Sequence, residues 1–319
     1  MPIIERTCII IIFFFIALVS SEARAEIRIG VLMFSDQARY LEATRGFVDA
    51  LKDAGFGEAQ TKITIEQAGA NKAKAEELVQ QFRAENMDLI FTVGTHATIA
   101  VSQKIKDVPV VFAQVYDPVE TGIARNWESS GNNTTGSTTK VPMSKLMDSL
   151  EQFAPVKRLG VLYTPGEKNS EAQLRDLQSI QASYGIKVIP VPLTKTEEVT
   201  RLLPLVIRAT DALYVTGSNL VNSQLPRIVA LAAEAKLPTI THLEDLVEEG
   251  VLLGVVPSSY RSGRMAGDKA VKIFMGAQPS SIPIETDKQF DVIINQKTAK
   301  TGGFRVPADF MKTVERTIE

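Results

Sequence analysis

The residues best suited to chemistry fall in short clusters, each just behind an apolar run. Phe34 and Ser35 follow Ile27–Leu32, and Gly94-Thr95-His96 follows Leu89–Val93. Gly94 permits a sharp turn, and Thr95 and His96 would then open a helix whose unpaired N–H groups could seat a carboxylate. Thr95 reads equally as a plain helix cap. Asp117, in Gln114-Val115-Tyr116-Asp117-Pro118, could pair with an ammonium group, or simply form a turn before proline. Tyr163 could supply an aromatic wall or pack half-buried. Asn169 and Ser170 could hydrogen-bond a ligand, cap the following helix, or do both. Gly217-Ser218-Asn219 repeats the pattern of Gly94-Thr95-His96, and His242 ends a further run. The chain has only two His, too few for a metal site, which needs three or four ligands. Hydrogen bonding is the expected role of both. No HExxH, GxSxG or P-loop appears, and Gly94 lacks the rest of a GxGxxG. The set offers donors and acceptors but no activated nucleophile, so it suits binding a small zwitterion and calls for no cofactor.

Composition narrows the field further. The 319 residues are 45% apolar and 23% charged, ordinary for a globular chain of about two domains. The net charge of −2 gives no basic surface for a nucleic acid. One cysteine, Cys8, excludes an intramolecular disulfide and a cysteine metal cluster.

The elements that must position these residues alternate between two types. Short apolar runs read as strands at Ile27–Leu32, Ile63–Gln67, Leu89–Val93 and Val110–Ala113. A second set lies at Arg158–Tyr163, Lys187–Val191, Ala212–Val215, Thr239–Thr241 and Val251–Val256, with a last strand at Phe290–Ile294. Amphipathic stretches between them, such as Arg39–Ala54, Lys72–Glu85, Glu171–Ser183 and Ser262–Met275, read as helices. The alternation predicts an α/β protein with doubly wound parallel sheets covered on both faces. Ligands of such sheets bind beyond the carboxyl ends of the strands, where the clusters lie.

The chain also repeats itself. Arg28–Leu32 matches Arg158–Leu162, Asp88–Thr95 matches Asp211–Ser218, and Val108–Val111 matches Leu237–Ile240, at a nearly constant offset of about 130 residues. Matches in the same order predict two lobes of similar topology; the period is too long for a solenoid. The division expected is 26–138 plus 258–280 for lobe 1 and 139–257 plus 281–319 for lobe 2, joined by a hinge of several strands. The polar segment Glu128–Ser137 is the expected first crossing. Trp127, beside it, would anchor the hinge or stack on a ligand.

The N-terminus carries an export pattern. Arg6 precedes an unbroken apolar run, Cys8–Val19, followed by Ala23-Arg24-Ala25. Small residues two apart suit signal peptidase, so 1–25 is expected to be cleaved after Ala25. The run falls short of the ~20 residues that span a bilayer. A retained anchor is the alternative. The mature protein is expected to be exported and, most simply, periplasmic.

Several segments together resemble a known family: Val108–Val119, Asn133–Gly136, Lys157–Tyr163 with Asn169-Ser170, Asp211–Tyr214 with Ala232–Pro238, Arg261–Ala266 and Ile282-Pro283. In this order they resemble ABC transporter substrate-binding proteins of the type I periplasmic binding fold, and within those the tryptophan/tyrosine import binding proteins. The resemblance implies a non-enzymatic protein whose lobes close on an amino acid-like solute and deliver it to an ABC permease. It places Thr95 and His96 near a ligand carboxylate, Asp117 near its amine, and Asn169, Ser170 and Asn219 on the facing lobe. The sequence departs from the family at Phe34-Ser35-Asp36-Gln37, where many members carry a Glu-His-Pro-type stretch. A sensor module handing its closed form to a membrane receptor, or an exported α/β enzyme, would share the fold.

Overall fold

The computed structural model describes residues 26–319; the expected signal segment 1–25, with Cys8, lies outside them. The strands are β1 (Ile27–Met33), β2 (Thr61–Gln67), β3 (Leu89–Val93), β4 (Val110–Val115), β5 (Thr134–Thr138), β6 (Arg158–Tyr163), β7 (Lys187–Pro192), β8 (Ala212–Val215), β9 (Thr239–Thr241), β10 (Leu253–Pro257), β11 (Glu285–Thr286), β12 (Phe290–Asn295) and β13 (Arg316–Ile318). The helices are α1 (Ala38–Asp53), α2 (Lys72–Ala84), α3 (Thr95–Lys104), α4 (Met143–Phe153), α5 (Lys168–Ile180), α6 (Thr196–Ala209), α7 (Asn219–Ser223), α8 (Leu225–Glu234), α9 (Glu244–Glu248), α10 (Ser259–Phe274), α11 (Gln296–Thr301) and α12 (Ala308–Met311).

Two sheets divide the strands, in the orders β11-β5-β4-β3-β1-β2 and β13-β12-β10-β9-β8-β6-β7. All pairs of the first sheet are parallel. In the second, β12 runs antiparallel to β10. Every residue of β3, β4, β5, β8 and β10 is buried, because helices cover both faces of each sheet. That double burial is why the apolar runs are continuous rather than alternating.

The internal repeat is structural. β1, β3 and β4 occupy the places that β6, β8 and β9 hold in the other sheet. Asp88 Oδ2 accepts from the Arg28 N–H at 2.8 Å, and Asp211 Oδ2 accepts from the Arg158 N–H at 2.8 Å. The Asp88 N–H in turn donates to Arg28 O, and the Asp211 N–H to Arg158 O. The repeated Asp and Arg thus clamp the entrance of the same strand pair in each lobe.

The chain crosses between lobes at 139–142, again between β10 and α10, and again at 287–289, which makes a three-stranded hinge. The first crossing therefore lies beyond the polar segment 128–137. Thr134–Thr138 is instead a buried strand held by long-range hydroxyl bonds: Thr135 Oγ1 donates to Ile282 O, and Ser137 Oγ to Ser262 O. Residues 285–286 pair with β5, so the last crossing falls a few residues later than 281. Trp127 packs half-buried against Phe112, Val115 and Ile284, and its carbonyl accepts from the Ile284 N–H, on the hinge side.

α10 returns from the second lobe and lies backbone to backbone on α1. A Cβ on Gly46 would sit 2.1 Å from Tyr260 O, and one on Gly263 1.9 Å from Ala43 O. Only glycine allows this approach, which fixes α1, and the residues at its start, against the sheet.

Candidate functional site

The lobes are closed on one another. Arg39 Nη1, at the start of α1, donates to Asp245 Oδ2 of α9 in the other lobe at 2.6 Å, and each side chain is only 3% exposed. Lys168 Nζ donates to Thr121 O at 2.9 Å, and Arg175 pairs with Glu120 at 2.9 Å. Tyr116 Oη donates to Asp176 Oδ2 at 2.7 Å.

Between the lobes lies a polar chamber lined by Arg39, Tyr40, Thr95, His96, Gln114 and Tyr116 from one side, and by Asn169, Gln173, Asn219 and His242 from the other. It has closed down to about 20 Å3, room for roughly one water. A solute enters only if the lobes part.

Strand ends and helix starts deliver the lining residues. Gly94 is the N-cap of α3, with φ 95°, and no side chain caps the helix. The first-turn N–H groups of Thr95 and His96 are therefore free of a local acceptor, and Thr95 is not the cap. Gly94 also lets Tyr40 close in, since a Cβ there would sit 2.6 Å from Tyr40 Oη. In the facing lobe the equivalent helix is already served: Ser218 Oγ accepts from Val221 N–H, and Glu167 Oε2 from Asn219 N–H at 3.0 Å. Burial raises the Glu167 carboxyl above its usual range, against the pull of those N–H groups. Asn169 Nδ2 donates to Gly217 O at 2.8 Å, and its buried Oδ1 has no partner among the described residues.

Gln114 is the sharpest feature of the chamber. It sits within β4 at φ 59°, a left-handed conformation unfavourable for a side chain bearing Cβ, where the register against β5 slips. Both polar atoms of its buried amide lack a partner among the described residues. His242 follows β9; its Nδ1 lies 2.6 Å from Tyr214 Oη, and its buried Nε2 is unpartnered among the described residues. Burial, with the Arg39 charge, pushes the His242 imidazole down to about 3, and burial with the Lys72 charge pushes His96 down to about 4. Both rings are neutral at physiological pH.

An apolar pocket adjoins the chamber through Thr95 and His96. Its volume is about 190 Å3, and it is lined by Phe34, Ala75, Ile99 and Ala100 together with Lys72, Glu76, Gln103 and Lys168. Phe34 stacks on His96 with ring centroids 4.6 Å apart. A cavity of ~150 Å3 accommodates benzene, so this one has space for an aromatic side chain.

The structure thus brings together Gly94, Thr95, His96, Asn169, Asn219 and His242, with Phe34 in the adjoining pocket. Other expected residues are elsewhere. Asp117 is engaged on both oxygens: Oδ1 accepts the N–H groups of Val119 and Glu120, and Oδ2 pairs with Lys140 at 2.6 Å. It forms a turn and a hinge ion pair rather than lining the chamber. Ser170 Oγ bonds within its own loop, to Thr164 and Glu167. Tyr163 packs on the core of the second lobe. Ser35 is buried, with its Oγ unpartnered among the described residues, and does not line the pocket. Arg39, Tyr40, Gln114, Tyr116 and Gln173 were not expected. The one signal for them is Gln114, a polar residue in the otherwise apolar run Val110–Val115.

Two α/β lobes, joined by a three-stranded hinge and closed over a chamber of unmatched polar groups, define a solute-binding protein of the periplasmic type. The chain belongs to the family described as ABC transporter substrate binding protein, whose profile matches residues 28–318. It is a binding protein rather than an enzyme. A Clostridioides difficile tyrosine-binding protein is 27% identical over 282 residues, covering 88% of this chain and 82% of that protein. The structure of a Streptococcus pneumonia ABC domain in complex with L-Trp superposes with a TM-score of 0.86 at 25% identity, covering 92% of this chain and 100% of that one. The ligand-free, open structure of a Clostridium difficile substrate-binding protein with adhesive properties gives 0.73 at 29% identity, covering 91% and 98%. The better superposition on the liganded structure, despite its lower identity, agrees with the closed lobes.

Proposed function

We propose that the protein is the exported receptor of an ABC importer for an aromatic amino acid, with residues 1–25 as its signal. The observation that carries this reading is the pairing of two compartments. The polar chamber holds unmatched donors at Gln114 and the uncapped start of α3, and unmatched acceptors at Gln114 and Asn169. The adjoining apolar pocket has the size of an aromatic ring. A zwitterionic α-carbon would sit among the polar groups of the first, which must widen beyond its roughly 20 Å3 to take it, and its side chain in the second. Among the described residues no helix is long and apolar enough to cross a membrane, in keeping with a receptor that hands its solute to a separate permease. The relatives whose descriptions name L-Trp and tyrosine support the same solute class. The lobes close because the bound solute satisfies polar groups that closure otherwise strands dry, so it favours the closed form.

Thermal unfolding of residues 26–319 against L-tryptophan, L-tyrosine, L-phenylalanine, aliphatic amino acids and polyols tests this. Ligand at about 100 times its dissociation constant adds roughly 2.7 kcal/mol, a shift of a few degrees. Stabilisation by aromatic amino acids is expected; stabilisation by polyols alone would refute the solute class.

A further inference from the structure

We propose that Tyr214 holds His242 as the neutral Nε2–H tautomer, so that the imidazole presents a fixed hydrogen-bond donor to the carboxylate of the solute. This rests on the amino-acid reading of the chamber. Tyr214 lies on β8 in the second sheet and is wholly buried, and its hydroxyl has one hydrogen-bond partner among the described residues, His242 Nδ1 at 2.6 Å. Two proton arrangements fit that contact. If Nδ1–H donated to the tyrosine oxygen, the phenol proton would be left in the core with no acceptor, and the Nε2 lone pair would face the chamber unmatched. If the phenol donates to Nδ1, every group is satisfied except Nε2–H, and that one faces the chamber. Buried polar groups are matched wherever a partner exists, so the second arrangement wins. The imidazole cannot resolve the choice by taking up a second proton, since burial and Arg39 keep it neutral. The ring is further held by the Tyr116 edge, with centroids 5.1 Å apart. Tyr214 is a positioning residue: it does not line the chamber, yet it decides whether the chamber offers a donor or an acceptor at that point.

The test uses the ring nitrogens themselves. The chain has only two His, so long-range 15N–1H spectra of 15N-histidine-labelled protein give two sets of signals, assigned with a His96→Gln variant. The ligand-free protein is expected to show His242 protonated at Nε2 and bare at Nδ1 across about pH 5 to 8, where a free imidazole titrates. L-tryptophan should shift the Nε2–H proton without changing the tautomer, and L-tryptophanamide, lacking the carboxylate, should bind more weakly. Tyr214→Phe should mix the tautomers and weaken L-tryptophan about tenfold, the order expected for one hydrogen bond to a charged group, while narrowing the preference over the amide. Tyr214→Phe combined with His242→Gln supplies an amide donor that needs no tautomer control and should recover part of the affinity. An Nδ1–H spectrum in the wild type overturns the proposal, as does Tyr214→Phe with the tautomer mixed and the affinity and amide preference unchanged. Failure of the wild type to bind any aromatic amino acid would refute the solute class and the donor role together, whereas an Nδ1–H spectrum in a protein that binds tryptophan would refute this inference alone.

Discussion

Replacing Asp245 by alanine should weaken solute binding far more than it weakens the fold. Asp245 and Arg39 meet across the cleft at 2.6 Å with both side chains 3% exposed. Burial works against the charge on Arg39, and Asp245 together with Tyr40 restores it, leaving the guanidinium above its ordinary range. Removing one partner of a buried pair costs about 3–5 kcal/mol, because the other charge is stranded dry. Arg39 keeps some company, since Nη2 donates to Gln37 Oε1 at 2.6 Å and the guanidinium lies 5.1 Å from the Tyr40 ring. A cost near 3 kcal/mol is therefore the better figure. It falls on the closed form alone, since opening the lobes returns Arg39 to water. The open–closed equilibrium moves by that amount, and the apparent affinity drops by roughly 100-fold.

Calorimetric titration with L-tryptophan would read the affinity, and small-angle scattering the separation of the lobes. The Asp245→Ala protein should be more extended without ligand, with a melting temperature close to the wild type. Arg39→Met with Asp245→Leu should recover closure, because an apolar pair of similar volume replaces a buried ion pair at little cost. An affinity within threefold of the wild type (about 0.6 kcal/mol) would refute the assignment of the pair to closure. A large fall in the ligand-free melting temperature would show that it serves folding instead.

Gln114→Gly should stabilise the ligand-free protein by up to about 1 kcal/mol, since it relieves a left-handed residue against the entropy glycine adds to the unfolded chain. The same change should cost binding tenfold or more, about 1.5 kcal/mol for a bond to a charged group; a stabilised variant with intact affinity would deny Gln114 its role. Gly263→Val should destabilise by more than about 3 kcal/mol, because its Cβ would sit 1.9 Å from Ala43 O, and a denaturant midpoint near the wild type would show that α10 can back away from α1. Acid should destabilise through His242. Its folded value near 3 lies below the ordinary 6.5, so its contribution is complete above about pH 6.5 and is lost as pH falls, by roughly 3 kcal/mol at pH 4. The stability of His242→Gln should fall with a shallower slope, by up to one proton, and equal slopes would contradict a buried neutral imidazole.

What the sequence reveals and what it hides follow from the range of the interaction that decides each feature. β3 and β8 are legible as apolar runs because burial on both faces leaves no alternation to blur them. β5 is not, since Thr134-Thr135-Gly136-Ser137-Thr138 looks like a linker until hydroxyl partners well over a hundred residues away are in place. The rule that ligands sit beyond strand ends leads to Thr95, His96, Asn169, Asn219 and His242, all of which line the chamber between the lobes. It also leads to Asp117, which does not line the chamber, because Lys140 and two backbone N–H groups engage that carboxylate. It passes over Gln114, whose access to the chamber depends on a backbone flip at φ 59°. Residue type alone does not separate these cases, for Asp117 and Gln114 are both polar, both buried and three residues apart. What separates them is whether the fold already supplies a partner. The polar atoms left without one at Gln114, Asn169 and His242 converge on one chamber from both lobes. Leaving groups buried and unmatched weakens a fold unless something else matches them, and under the proposed function that missing partner is the solute.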